Sequence, residues 1–182
     1  MEERKTSSQS GGALPFVVGL IAALAFGWWV TPKILYSESK QPIRFSHKVH
    51  AEQGMACEDC HKTRDDGSYA GLPTNEKCGE CHTDVLGADP DEKKYVEEYA
   101  AKNKEVPWLI YQAQPDNVYF THSAHQAQAC TECHPKMEGN DTPPVVQINR
   151  LSGYTSKTMM MWQCERCHAE NGVSNACYVC HK

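Results

Sequence analysis

Every cysteine in the chain belongs to a Cys-x-x-Cys-His motif: Cys57 and Cys60 with His61, Cys78 and Cys81 with His82, Cys130 and Cys133 with His134, Cys164 and Cys167 with His168, and Cys177 and Cys180 with His181. Two thiols separated by two residues can add to the two vinyl groups of a porphyrin, while the adjoining imidazole reaches the iron from one face. One such motif can arise by accident; five that consume all ten cysteines cannot. Cysteine pairs also build tetrahedral zinc sites, but the histidine closing each pair favours five covalently attached haems c. Ten cysteines in 182 residues would otherwise suggest a disulfide scaffold, yet no thiol is left over for one.

Counting histidines sharpens the coordination. Of nine, five are the motif ligands, and the other four are His47, His50, His122 and His125, all within two copies of Phe-x-His-x-x-His at Phe45–His50 and Phe120–His125. A spacing of three sets two imidazoles on neighbouring turns of a helix, where each can reach a different iron. Four bis-histidine irons are expected, with the pairing of individual histidines open. One sixth position remains, and the run Met159-Met160-Met161 before Cys164 is its source, Met161 or Met160 ahead of Met55 and Met137. A thioether would raise that iron's potential relative to the bis-histidine set. Methionine as filler against porphyrin is the alternative, and an iron left five-coordinate would point to ligand binding or catalysis. Phe45, Tyr119, Phe120, Trp162 and Tyr178 flank the ligand segments and are expected against haem faces or edges. Such sites need spacing, axial ligands and burial from the protein, so no catalytic acid or base is expected.

The positioning elements follow from the rest of the chain. From Ala13 to Val30 runs an uncharged apolar stretch long enough to cross a bilayer, with Trp28 and Trp29 where an aromatic belt belongs. A cleaved signal peptide is the competing reading, because Ala23-Leu24-Ala25 has a small-x-small form; continuation of the run into the tryptophans favours an anchor. Arg4 and Lys5 precede the run while Lys33, Lys40, Arg44 and Lys48 follow it, which opposes the positive-inside rule. Covalent haem attachment on the non-cytoplasmic side overrides that count. The expected layout is a short cytoplasmic N-terminus over 1–12, a transmembrane anchor over 13–35, and a linker over 36–43. A two-haem module over 44–88, a spacer with a short helix over 89–118 and a three-haem module over 119–182 complete it. Asp89-Pro90 carries the start signals of the spacer helix, whose charges read as a solvated face. No alternation is long enough to nucleate a sheet; short helices and coil wrapped around haems are expected. A net charge of −5, made more negative by haem propionates, argues against nucleic acid and for steering of a basic partner. Ordinary solubility would explain it equally plainly.

The stretches FSHKVHAEQGMACEDCH, SYAGLPTNEKCGECH, PDNVYFTHSAH and MMMWQCERCH resemble the membrane-anchored multihaem cytochrome c subunits of quinone-linked respiratory complexes, the menaquinone reductase of sulfate reducers and alternative complex III. The likeness spans roughly Arg44 to His168 and is weaker for the anchor and the terminal CYVCHK. It implies class III (c7-like) modules and a relay between a soluble periplasmic redox partner, such as tetrahaem cytochrome c3, and iron–sulfur and polytopic quinone-binding subunits. The inner membrane, with the haem domain on the periplasmic side, is the implied location. A methionine upstream of the fourth motif is implied as an axial ligand, and Gln163 between Trp162 and Cys164 shifts its register, leaving Met160 and Met161 both open. The menaquinone reductase type is favoured, with direction of electron flow unassigned. An alternative complex III running from quinol to an acceptor, a membrane-anchored cytochrome that oxidises quinol itself, and a haem enzyme or sensor with an open iron are the competing classes. The quinol-oxidising class would need a polar cluster beside the anchor, and none stands out.

Overall fold

The computed structural model describes residues 12–181, so the expected cytoplasmic N-terminus lies, apart from Gly12, outside the described residues. Ala13–Leu35 is a single helical rod. It opens as α1 (Ala13–Ala25), widens into π-helical turns over Phe26–Val30 and closes as α2 (Thr31–Leu35) with Pro32 in its first turn. Pro32 has no N–H for the carbonyl four residues back, and its ring presses on that group; the wider turns directly ahead give it room. At 1.5 Å per residue the rod is about 34 Å long, enough for a hydrocarbon core of about 30 Å. None of its apolar window is buried in the protein, and this helix is long and apolar enough to span a membrane.

The chain leaves the rod through β1 (Tyr36–Ser39), which pairs antiparallel with β2 (Val146–Asn149) in the register Tyr36 to Asn149 and Ser39 to Val146. This ribbon corrects the expectation of no sheet and of a plain linker over 36–43. Four-residue strands are too short to display a period of two. The Ser37 hydroxyl donates to the Ile148 carbonyl at 3.2 Å, and the Arg150 N–H donates to the carbonyl of Leu35 at 2.8 Å. Val146 is fully buried beneath the ribbon. The C-terminal half is thereby clamped to the foot of the rod.

Beyond Arg44 most elements are single turns. They are α3 (His47–Glu52), α4 (Cys57–Cys60), α5 (Asn75–Gly79), 3₁₀ turns at Ser123–His125 and Cys130–Glu132, and α8 (Cys177–Cys180); α7 (Met161–Glu170) is longer. The spacer helix starts as α6 (Pro90–Lys94), where the Asp89 carboxylate accepts the Asp91 N–H and Pro90 supplies a preset φ. It continues through Tyr95–Tyr99 and Ala100–Lys102 and stops at Asn103, whose φ of 50° is left-handed. Arg44 pairs with Asp89, and Lys94 Nζ donates to the Pro42 carbonyl, so the spacer grips the strap after β1.

Only Ile43, Tyr95, Val106 and Val146 form a buried apolar core among the described residues. The surface area is 14,022 Å², against about 8,800 Å² for a compact monomer of this mass. The bare rod contributes to that excess, but so does a polypeptide with too little apolar interior of its own. A chain that wraps cofactors has this signature.

Candidate functional site

Each motif folds as one helical turn. The N–H of His61 donates to the carbonyl of Cys57 at 2.8 Å, His82 to Cys78 at 2.9 Å, His134 to Cys130 at 2.9 Å and His181 to Cys177 at 2.9 Å, while the fourth motif lies inside α7. One turn brings both sulfurs and the imidazole to the same side of the backbone. All ten cysteines are free thiols. No three His, Cys, Asp or Glu side chains converge as a metal cluster among the described residues, so the pairs are spread out rather than gathered into zinc-like fours.

The two Phe-x-His-x-x-His copies fold alike around their rings. Phe45 stacks on His50 at 4.3 Å and meets His47 edge-on at 4.8 Å; Phe120 stacks on His125 at 4.7 Å and meets His122 edge-on at 4.9 Å. Ser46 Oγ accepts the Val49 N–H and Thr121 Oγ1 accepts the Ala124 N–H, so a hydroxyl caps each turn. The aromatic residue thus braces the imidazoles directly.

Numbering the motif sites one to five along the chain, the distal histidines face the motif histidines in a definite pattern. Ring centroids of His50 and His82 lie 6.1 Å apart, those of His122 and His134 6.2 Å, and those of His125 and His168 6.3 Å. Two imidazoles bound through Nε2 to opposite faces of one metal ion sit about 6 Å apart, given metal–nitrogen bonds of about 2.0 Å. His47 lies within electrostatic range of His61: burial pushes the His47 pKa down, and the charges of His61 and His50 add to that against a smaller opposing effect of Glu138. Burial likewise lowers His134, with His122 and His61 adding to it. Neutral imidazoles are what an iron needs.

The second ring nitrogens settle which nitrogen is free. Nδ1 of His61 donates to the Gly71 carbonyl (3.0 Å), His134 to Gln112 Oε1 (2.6 Å) and His181 to the Asn117 carbonyl (3.1 Å). Among the distal histidines, His50 donates to the Ser46 carbonyl (2.7 Å), His122 to that of Ser68 (2.9 Å) and His125 to that of Thr121 (2.8 Å). A carbonyl acceptor fixes the proton on Nδ1 and leaves the Nε2 lone pair for a metal. His82 Nδ1 instead meets Glu92 Oε1 at 2.9 Å. Burial tends to raise the Glu92 pKa, but the N–H groups of Leu86 and Gly87 and the His82 ring prevail and hold it below the usual range. Nδ1 of His47 and of His168 are buried without a partner. Sequence reasoning missed Glu92, placing it on a solvated face, and missed Gln112. Glu92's position as the third residue of a capped helix, ten residues after His82, was the available signal.

His181 is left over from this pairing. It lines a cavity of about 450 Å³ together with Tyr36, Asn117, Thr155, Met159, Met160 and Met161, while Met160 also borders a second cavity beside Gln112 and Pro135. Met55 and Met137 line neither. Three imidazole pairs at the separation required across one iron, Nδ1–H groups turned to oxygen acceptors and five two-thiol turns fit haem c.

The sites follow one another in space. Cys78 lies within electrostatic range of Cys60, and Cys57 of Cys130. Cys133 is close enough to Cys167 and Cys164 for their charges to interact, and Cys164 to Cys180. Taken neighbour to neighbour, these interactions order the attachment points two, one, three, four, five. Its last member shares a cavity with Tyr36, the first residue after the membrane-length rod.

Residues 30–107 match the class III cytochrome c family, which covers the rod's end, the first module and the spacer helix. Across 94% of its length the chain is 54% identical to the menaquinone reductase multihaem cytochrome c subunit of Nitratidesulfovibrio vulgaris, of which the match covers 91%. A likeness of that extent shows the family, and the chain belongs to the multihaem c-type cytochromes that include that menaquinone reductase subunit.

Proposed function

We propose that this chain relays electrons through five covalently attached haems c between a soluble periplasmic redox partner, of the tetrahaem cytochrome c3 kind, and the iron–sulfur and polytopic quinone-binding subunits of a menaquinone reductase. The observation that supports the reading is the neighbour order of the motif thiols, whose last member, through His181, shares a cavity with Tyr36 at the foot of the apolar rod. The rod is the single-pass anchor in the inner membrane, with the modules on the periplasmic side.

When bound, haem c supplies a one-electron iron couple whose potential follows its axial ligands, hydrogen bonding and burial. The chain does the rest. His61 with His47, His82 with His50, His134 with His122 and His168 with His125 would hold the iron at sites one to four. His181 with Met161 or Met160 serves site five. Carbonyls of Ser46, Gly71, Ser68, Thr121 and Asn117 orient the rings, and the ring-braced turns hold neighbouring sites at fixed separation.

Purification of the tagged full chain from its membranes in mild detergent tests this reading. Copurification of an iron–sulfur and a polytopic partner is expected. Reduction of the complex by a basic multihaem cytochrome should slow as salt rises. Quinone turnover by the purified chain alone would overturn it.

A further inference from the structure

Among the described residues, one of the nine histidines differs from the rest in what its outer ring nitrogen meets. Six donate Nδ1–H to a neutral oxygen, whether a backbone carbonyl or the Gln112 amide, and two have no partner. His82 alone faces a carboxylate, Glu92 Oε1 at 2.9 Å.

That carboxylate is built in. It lies in the first turn of α6, where the helix macrodipole favours negative charge. Oε1 also accepts the Leu86 N–H and Oε2 the Gly87 N–H, each at 2.9 Å. A Cβ at Gly87 would lie 3.2 Å from Oε2, so glycine lets the loop close on it. The side chain is 14% exposed.

We infer that Glu92 is a positioning residue that, through the His82 ring, makes site two the lowest-potential of the five and so gives the row a downhill direction from site two toward the anchor. A carboxylate accepting the outer N–H transfers electron density to the imidazole and raises its basicity toward the metal, which stabilises the ferric state. The opposite end has the opposite chemistry: His181 bonds a neutral carbonyl, and a thioether partner raises potential. With site two first in the row and site five last, electrons taken up at site two run downhill to the membrane. This rests on the five-haem relay reading and adds its direction.

The test is a potentiometric titration of the purified full-length holoprotein and its Glu92→Gln variant, with intact mass recorded on both. Glutamine keeps an acceptor oxygen and loses the charge. The lowest of the midpoints should rise in Glu92→Gln while the others stay. The converse variant Gln112→Glu, which places a carboxylate on His134 at site three, should lower a different midpoint. A lowest midpoint that does not move, a shift confined to a higher midpoint, or loss of haem from Glu92→Gln would overturn the inference. Fewer than five haems in the wild-type mass would instead overturn the relay reading beneath it.

Discussion

The two Phe-x-His-x-x-His copies share ring geometry to within a few tenths of an ångström and differ in what lies beneath them. The first forms α3, its His50 ring is tilted 51° from His82, and its His47 Nδ1 has no acceptor. The second is a 3₁₀ turn whose two rings lie within 12° of parallel to their partners. It is also seated on the first module: the Ser68 carbonyl accepts both the N–H and the Nδ1–H of His122, and the Gly67 carbonyl accepts the Ser123 N–H. Both copies reach across to the other module, the first through the Lys48 N–H to the Asn140 carbonyl and Ser46 Oγ to Asp141 Oδ1, but only in the second does a ligand histidine itself form the joint. The sequence boundary between 44–88 and 119–182 is crossed here by three hydrogen bonds.

Removing the histidines of each copy should break the comparison most visibly. His47→Ala with His50→Ala is expected to convert sites one and two to high spin, and His122→Ala with His125→Ala sites three and four, read by magnetic circular dichroism of the oxidised proteins. Each double variant should spare the other copy's sites. The second should also lower the melting temperature further, because the Nδ1–H bond of His122 to the Ser68 carbonyl goes with it, at about 1 kcal/mol.

A smaller effect is expected at the odd site. Met160→Ala with Met161→Ala should lower one midpoint or turn one iron high spin, and leave the four bis-histidine signals in place. An unchanged redox titration would remove methionine from site five.

The joint can be probed by itself. Gly67 has a φ of 72°, and a Cβ there would lie 2.6 Å from Ser123 Oγ, whereas Gly54, at φ 82°, opens on space. Gly67→Ala should cost about 1–3 kcal/mol for the strained backbone plus the cost of displacing Ser123, and disturb site three. Gly54→Ala should show the backbone cost only. Equal melting shifts in the two variants would mean that the loop does not seat the second copy.

The caps should matter least. Ser46→Ala and Thr121→Val are each expected to cost about 1 kcal/mol in chemical denaturation. Ser46→Ala should cost somewhat more, since Ser46 Oγ also donates to Asp141 Oδ1 while Thr121 Oγ1 accepts only from its own turn.

What could be read from the sequence and what could not divides along physical lines. The thiols, the motif imidazoles, the His pairs and the apolar rod are carried by residue identity and local spacing, so they stand out in the chain. The ring-orienting acceptors at Ser46, Gly71, Ser68, Thr121 and Asn117 are backbone carbonyls, which any residue supplies. Which distal ring faces which motif ring depends on the Ser68 seat and the Cys57–Cys130 contact, both long-range. The ribbon joining Tyr36–Ser39 to Val146–Asn149 rests on hydrogen bonds between segments more than a hundred residues apart. Glu92 looked like any helix-surface acid until the loop at Leu86 and Gly87 folded over it.

The pairing of rings across the irons is tested most directly by electron paramagnetic resonance of the oxidised full-length protein beside His50→Ala and His122→Ala. Tilted axial imidazoles give a more anisotropic low-spin ferric signal than near-parallel ones. His50→Ala is predicted to remove the more anisotropic species and His122→Ala a rhombic one, each leaving a single new high-spin signal. Loss of the same species in both variants, or of none in either, would contradict the pairing.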